Sequence, residues 1–152
     1  MLTKTHLAIS IFAILLFINS VKSKIIFSIV VLIATLIPDI DSNLSWLGKR
    51  IIFRPLQFFV RHRGILHSFT FLILISLIFV LFVPVVVFGF FLGYGSHLLA
   101  DSFTIDGIRP FYPFKKTSSW KIRTGGKREI MILIVFIIAD LIMVTLKVWG
   151  LF

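Results

Sequence analysis

Long apolar runs alternate with short polar breaks along the whole chain. Leu7 to Val21, Ile25 to Ile37, Phe69 to Val83, Val85 to Thr104 and Ile130 to Trp149 read as five helices. Lys22-Ser23-Lys24 turns the chain between the first two, and Pro38 halts the second. Pro84 breaks the third at an uncharged tip, so the third and fourth form a tight hairpin. The first two runs fall short of the about 20 residues a span needs, so they extend past these limits or form a thin or partly inserted hairpin. A signal peptide is the alternative for the first, but no small-x-small cleavage site follows it. Between Leu44 and Val60, Trp46, Ile51, Ile52, Phe53, Phe58 and Phe59 interleave with Lys49, Arg50 and Arg54, as in an amphipathic segment lying on a membrane surface. Ile105 to Arg128 is a polar loop rich in Pro, Gly, Lys and Arg.

Composition places this pattern in a membrane. The chain has 152 residues, one domain's worth, of which 59% are hydrophobic and 18 are Phe. The mean hydropathy is +1.08, more apolar surface than a soluble fold can hide. The expectation is an all-α polytopic bundle of about five spanning or partly inserted helices, forming a single domain over residues 1–152. There is no cysteine, which excludes disulfides, thiolate metal sites and a cysteine nucleophile.

The net charge of +10 would raise nucleic acid as a partner for a soluble chain. Here it reads as basic loops beside anionic lipid, and no nucleic acid is expected. With the N-terminus inside, thirteen of the sixteen Lys and Arg fall on the inner side and only Lys22, Lys24 and Lys147 outside. The positive-inside rule therefore predicts a multi-pass cell-membrane protein with a cytoplasmic N-terminus. The basic stretch Lys115 to Arg128, with Trp120, reads as a lipid-facing anchor.

The topology gathers scarce polar residues at one depth. His6 opens the first helix, Asp39 and Asp41 end the second, His67 opens the third, His97 and Asp101 end the fourth, and Glu129 opens the fifth. His97 and Asp101 are four apart, on one helix face, and the same step backwards meets Gly93 and Gly89. That glycine stripe admits a close neighbour and leads to an imidazole and a carboxylate, which together suit a divalent metal. The predicted ligands are His6, Asp39, His67, His97 and Asp101. Each has a plainer alternative: a hydrogen-bonded helix pair for His97 and Asp101, turn and cap duty for Asp39 and Asp41, a helix start for His67, an interfacial position for His6. Glu129 reads as an acid favoured by its own helix dipole. Asp140, mid-helix, reads as neutral or hydrogen-bonded to another helix at a residue such as Ser76.

Thr5-His6, Pro38-Asp39-Ile40-Asp41-Ser42, His62-Arg63-Gly64-Ile65-Leu66-His67-Ser68 and Gly93-Tyr94-Gly95-Ser96-His97-Leu98-Leu99-Ala100-Asp101 resemble, in order, blocks of the YdjM-like family of membrane-bound, metal-dependent hydrolases, LexA-regulated in some bacteria. Thr104-Ile105-Asp106-Gly107, Pro113-Phe114 and Thr124-Gly125 with Glu129 fit the same pattern, and the likeness covers nearly the whole chain. The ligand order is also distantly similar to the helical zinc-dependent phospholipase C and P1-type nuclease group. That likeness implies a bridging Asp101, with His6 on one ion and Asp39, His67 and His97 on the other. The chain lacks that group's later His and Glu ligands and its N-terminal Trp, so three zinc ions are not expected.

One or two divalent ions, zinc suiting imidazole and carboxylate and manganese or iron being alternatives, activate water and stabilise displacement at phosphorus. Asp101 and Asp41 are the catalytic candidates, Asp41 as a general base or as a partner that orients His67. Arg61, His62 and Arg63 are candidates to bind a phosphate. The expected activity is hydrolysis of a phosphoester of a lipid or lipid-linked substrate at the cytoplasmic face. The alternative is a non-enzymatic membrane protein whose metal staples its helices.

Overall fold

A computed structural model describes residues 1–42, 45, 48–54, 57 and 63–151. Among them are five α-helices and no strand: α1 (Thr3–Phe17), α2 (Lys24–Leu36), α3 (Phe69–Phe82), α4 (Pro84–Ser102) and α5 (Lys127–Val148). The amphipathic segment predicted over Leu44 to Val60 lies largely outside the described residues, as do Arg61 and His62. Its described part includes a 3-10 turn over Ile51–Phe53, with Ile51, Ile52, Lys49 and Arg50 exposed.

Local chemistry sets the helix limits. Pro38 lacks the amide that would continue α2, and the chain tightens into a 3-10 turn over Pro38–Asp41. Ser68 caps α3, its Oγ accepting from the Phe71 amide at 3.2 Å. Pro84 stands at the first turn of α4, where its missing N–H costs no helical bond.

Three helical stretches among the described residues are long and apolar enough to cross a membrane: Thr3–Ser20, which includes a 3-10 extension of α1, Pro84–Ser102 and Lys127–Val148. The 13 residues of α2 and 14 of α3 are shorter. At 1.5 Å per residue they reach only about 20 Å against a hydrocarbon thickness of about 30 Å. Of the two runs expected to be short, the first reaches spanning length through its 3-10 extension and the second does not, while the third also falls short.

The buried residues of α2 are Phe27, Val31, Ala34 and Thr35, a single helical stripe turned toward α4. Gly89 and Gly93 receive that stripe. A Cβ on Gly89 would come within 3.2 Å of the Phe27 carbonyl oxygen, and one on Gly93 would collide with the Val31 backbone. The α2–α4 contact is the most extensive in the bundle, and α3 and α1 also flank α4. Leu72, Phe90, Tyr94, Leu98, Ala34 and Ile108 form its core. On the outside, Leu77, Leu81, Ile134, Ile138 and Leu141 are exposed, an apolar exterior that requires lipid around it.

The fifth helix packs on α1. The contact expected between Asp140 and Ser76 is not made. The Ser76 hydroxyl and an Asp140 oxygen are both buried, and neither has a hydrogen-bond partner among the described residues. The reason is position: α5 lies on α1, away from the helix that carries Ser76.

After α4 the chain doubles back as a compact loop. Ile108 and Ser118 exchange backbone hydrogen bonds of 2.9 Å, and the amide of Ile105 bonds the Ile122 carbonyl at 2.9 Å. Gly107 makes the return possible, with φ +62° and no room for a Cβ against Ser118. The loop is tied to α3 by the Phe69 amide on the Pro110 carbonyl, 2.8 Å.

Candidate metal centre

The end of the bundle that holds the start of α1, the Pro38–Asp41 turn, the start of α3 and the end of α4 is lined with ionisable side chains. His6, Asp39, Asp41, His67, His97 and Asp101 are all buried there. The glycine stripe explains one delivery. Because Gly93 lets α2 lie close, the next residue on that face, His97, meets the last turn of α2. Its Nδ1 lies 2.8 Å from the Thr35 carbonyl oxygen, whose helix is ended by Pro38. His67 is delivered by a 3-10 turn, Ile65–His67, which the Tyr94 hydroxyl clamps by donating to the Leu66 carbonyl. Its Nδ1 lies 3.0 Å from Asp41 Oδ2.

With both Nδ1 atoms so engaged, the Nε2 atoms of His67 and His97 turn to a common centre. Asp101 Oδ2 lies 3.7 Å from His67 Nε2 and 3.9 Å from His97 Nε2. Asp39 Oδ1 lies 3.8 Å from His97 Nε2. The other oxygen of Asp101, Oδ1, faces His6 Nε2 at 3.3 Å. The ring of His6 stacks on that of His97, centroids 3.8 Å apart and planes 9° from parallel.

Two overlapping groups therefore have the form of a metal site: His6, His97 and Asp101, and Asp39, His67 and His97. Within each, one donor atom per residue lies within 4.8 Å of the others. The donors suit a divalent cation on two further counts. Nδ1 of His6 and Nε2 of His97 are buried and make no hydrogen bond among the described residues. A buried polar atom left so is costly unless something else engages it. Charge gives the second count. Asp39, Asp41 and Asp101 bring three buried carboxylates. The cationic groups on Asp101 are the Arg63 guanidinium and the Met1 amino group. Burial pushes the Asp39 carboxyl above its ordinary range, against the pull of nearby His6, and a cation would reverse that penalty.

Arg63 roofs the cluster. Its backbone takes the left-handed conformation, φ 58°, which an L side chain rarely adopts. That turn lets its amide donate to Asp41 Oδ2 at 3.1 Å while its side chain reaches the opposite wall. There Nη1 donates to the Gly107 carbonyl at 2.6 Å. Nη2 lies 3.5 Å from Asp101 Oδ2 and 3.6 Å from Asp106 Oδ2.

A family model described as YdjM inner membrane protein matches residues 1–151. The chain belongs to that family. It is 35% identical over 101 residues to "Inner membrane protein YdjM" of Escherichia coli (strain K12), covering 60% of this chain and 50% of the relative. The protein of the same name from Shigella flexneri matches to the same extent. "Uncharacterized protein YvsG" of Bacillus subtilis (strain 168) is 29% identical over 85 residues, 53% of each chain. The chain thus spans about half the length of these curated relatives. No solved structure matches. Family and apolar helices together make this a membrane protein.

In this YdjM-family chain the six residues predicted as ligands or catalytic groups, His6, Asp39, Asp41, His67, His97 and Asp101, stand together. Of the three phosphate-binding candidates, Arg63 reaches the cluster. Glu129 does more than favour its own helix dipole. It is fully buried and accepts from the Leu2 amide at 2.5 Å, the Thr5 hydroxyl at 3.0 Å and the Gly125 amide at 2.5 Å. It therefore ties the start of α5 to the start of α1. Thr35, Gly107 and Asp106 were not singled out as partners of the site. Thr35 and Gly107 act through backbone carbonyls, which carry no residue-type signal. Asp106 belongs to the Thr104–Gly107 motif, and only the folded loop brings it to Arg63.

Proposed function

We propose that this YdjM-family protein is a membrane-embedded, metal-dependent hydrolase of phosphoesters, with zinc favoured by its imidazole and carboxylate donors. The observation that carries the reading is the division of Asp101: one oxygen faces His6, the other faces His67 and His97. His6 would hold one ion and Asp39, His67 and His97 a second, with Asp101 shared between them. Divalent cations there, when bound, supply Lewis acidity to a phosphoryl oxygen and acidify water.

The remaining roles belong to the chain. Thr35 holds the Nδ1 proton of His97, and Asp41 that of His67, so each ring offers a neutral Nε2 lone pair. Asp41 is engaged at the same oxygen by the Arg63 amide, which favours its orienting role over that of general base. Among the described residues Arg63, 18% exposed at its side chain, is the group best placed to meet a phosphate oxygen from outside. The excess of basic residues on the loops at this end supports a cytoplasmic site and N-terminus.

A second reading, a purely structural metal, draws support from the near-complete burial of the donors, since closed sites are filled by protein alone. One experiment separates the two. Protein purified in detergent is analysed for metal content, then assayed on a panel of soluble and lipid phosphoesters beside His97→Ala and Asp101→Ala. Metal with turnover that both variants lose supports the hydrolase. Metal without turnover on any phosphoester supports the structural reading. Protein free of metal and equally stable with or without added zinc sinks both.

A further inference from the structure

We infer that an apolar pocket beside the cluster seats one hydrocarbon chain of an anionic lipid. The pocket has a volume of about 420 Å³ and lies between Ile9 of α1, Leu99 of α4 and Phe103 at its C-cap, Ile132 and Phe136 of α5, and Ile122 of the loop. Ser96 and Ala100 complete its α4 wall. Ser96, Leu99, Ala100 and Phe103 share one helical face, and His97 and Asp101 lie one residue further on, around the same helix. Met1 lines the pocket and contacts Asp101. The pocket therefore runs alongside the proposed metal centre.

Three features choose the occupant. The pocket is framed by α1 and α5, whose outer faces carry exposed Ile11, Ile134 and Ile138, so a chain can enter sideways from lipid without meeting water. Its volume suits a single chain, whereas a helix with side chains is about 10 Å across. The loop that supplies Ile122 is basic: exposed Lys121 and Arg123 flank that residue in sequence, and exposed Lys127 and Arg128 follow with no acid between. Such a loop attracts a negative headgroup. The inference rests on the phosphoester reading only for the fate of that headgroup.

The test uses the chain in phosphatidylcholine nanodiscs containing a minor share of phosphatidic acid with a photoactivatable group in mid-chain, in the presence of EDTA. After illumination, labelled peptides are mapped by mass spectrometry. Labelling should concentrate on the segments holding Leu99 to Phe103 and Ile132 to Phe136. Leu99→Trp should reduce it about tenfold, equivalent to losing roughly two buried methylenes. Leu99 is 55% exposed, so the larger ring has room, and Ile132→Trp provides a second obstruction from α5. Leu81→Trp, on the exposed face of α3, should leave labelling unchanged. Even labelling of all lipid-facing segments, or indifference to both obstructing variants, overturns the pocket. Equal labelling by a phosphatidylcholine probe overturns the anionic preference. EDTA removes turnover, so the two readings fail separately. Focused labelling in a protein that hydrolyses nothing leaves the pocket and ends the hydrolase. Hydrolysis of a soluble phosphoester with even labelling does the reverse.

Discussion

Helices α4 and α5 are both long and apolar enough to cross a membrane, yet they do opposite work. Nine residues of α4 are buried in the bundle, against two of α5, Glu129 and Met143. The difference does not come from apolar content. It comes from where the small and ionisable residues fall. On α4, Gly89, Gly93, His97 and Asp101 repeat every four residues, so one face is both narrow enough to admit α2 and chemically equipped. On α5 the fully buried acid is Glu129, in the first turn, and the exposed face beyond it is apolar. Apolar length marks a membrane helix, and the stripe of exceptions tells what the helix is for.

The sharpest way to break the comparison is to give α4 the bulk that α5 carries. Gly93→Leu would force a Cβ into the Val31 backbone, which cannot yield as a side chain does. Overpacking of this kind costs about 3 kcal/mol, and a thermal melt in detergent should show it. Ile134→Leu on the exposed face of α5 should leave the melt within about 0.5 kcal/mol of the parent.

Glu129→Ala comes next. It strands the Leu2 and Gly125 amides, and a loss of about 2 kcal/mol is expected, read in the same melt. Hydrogen exchange should also rise at the starts of α1 and α5 while the α2–α4 contact stays protected.

Asp41→Asn is milder for the fold. It retains the shape but weakens the hold on His67 Nδ1, so zinc affinity measured by competition should fall about tenfold to hundredfold. The melt of the metal-free protein should move little. If affinity is unchanged, Asp41 does not orient the ligand.

The smallest effect belongs to α5. Asp140 has a buried oxygen with no hydrogen bond among the described residues, so Asp140→Leu should be neutral or slightly stabilising and leave metal content alone. A loss of bound metal would link that helix to the centre and erase the contrast.

How far the molecule could be read in advance follows the range of each interaction. The helices, their Pro breaks and the glycine face of α4 are local patterns, and each was legible from periodicity. The gathering of His6, Asp39, His67 and His97 was legible as a common depth, because alternating helices return to the same end. Contacts made through backbone were not. Nothing in the residue types marks the Thr35 carbonyl as the partner of His97, or the Gly107 carbonyl as a partner of Arg63. The left-handed backbone of Arg63 was equally silent, because it is a non-glycine residue in a conformation that glycine usually signals. Glu129 stands in the first turn of α5 as expected, but its tie to α1 is not legible because Leu2 and Thr5 lie more than a hundred residues away. The partner proposed for Asp140 failed because depth along a helix says nothing about which neighbour it faces.

The most direct measurement is X-ray absorption at the metal edge on the protein as purified from cells. A shell of nitrogen and oxygen at about 2.0–2.1 Å is expected, with the outer scattering of imidazole rings and no sulfur. That imidazole scattering should weaken in His97→Ala. A metal-free preparation, or an oxygen-only shell unchanged by that substitution, would contradict the proposed metal centre.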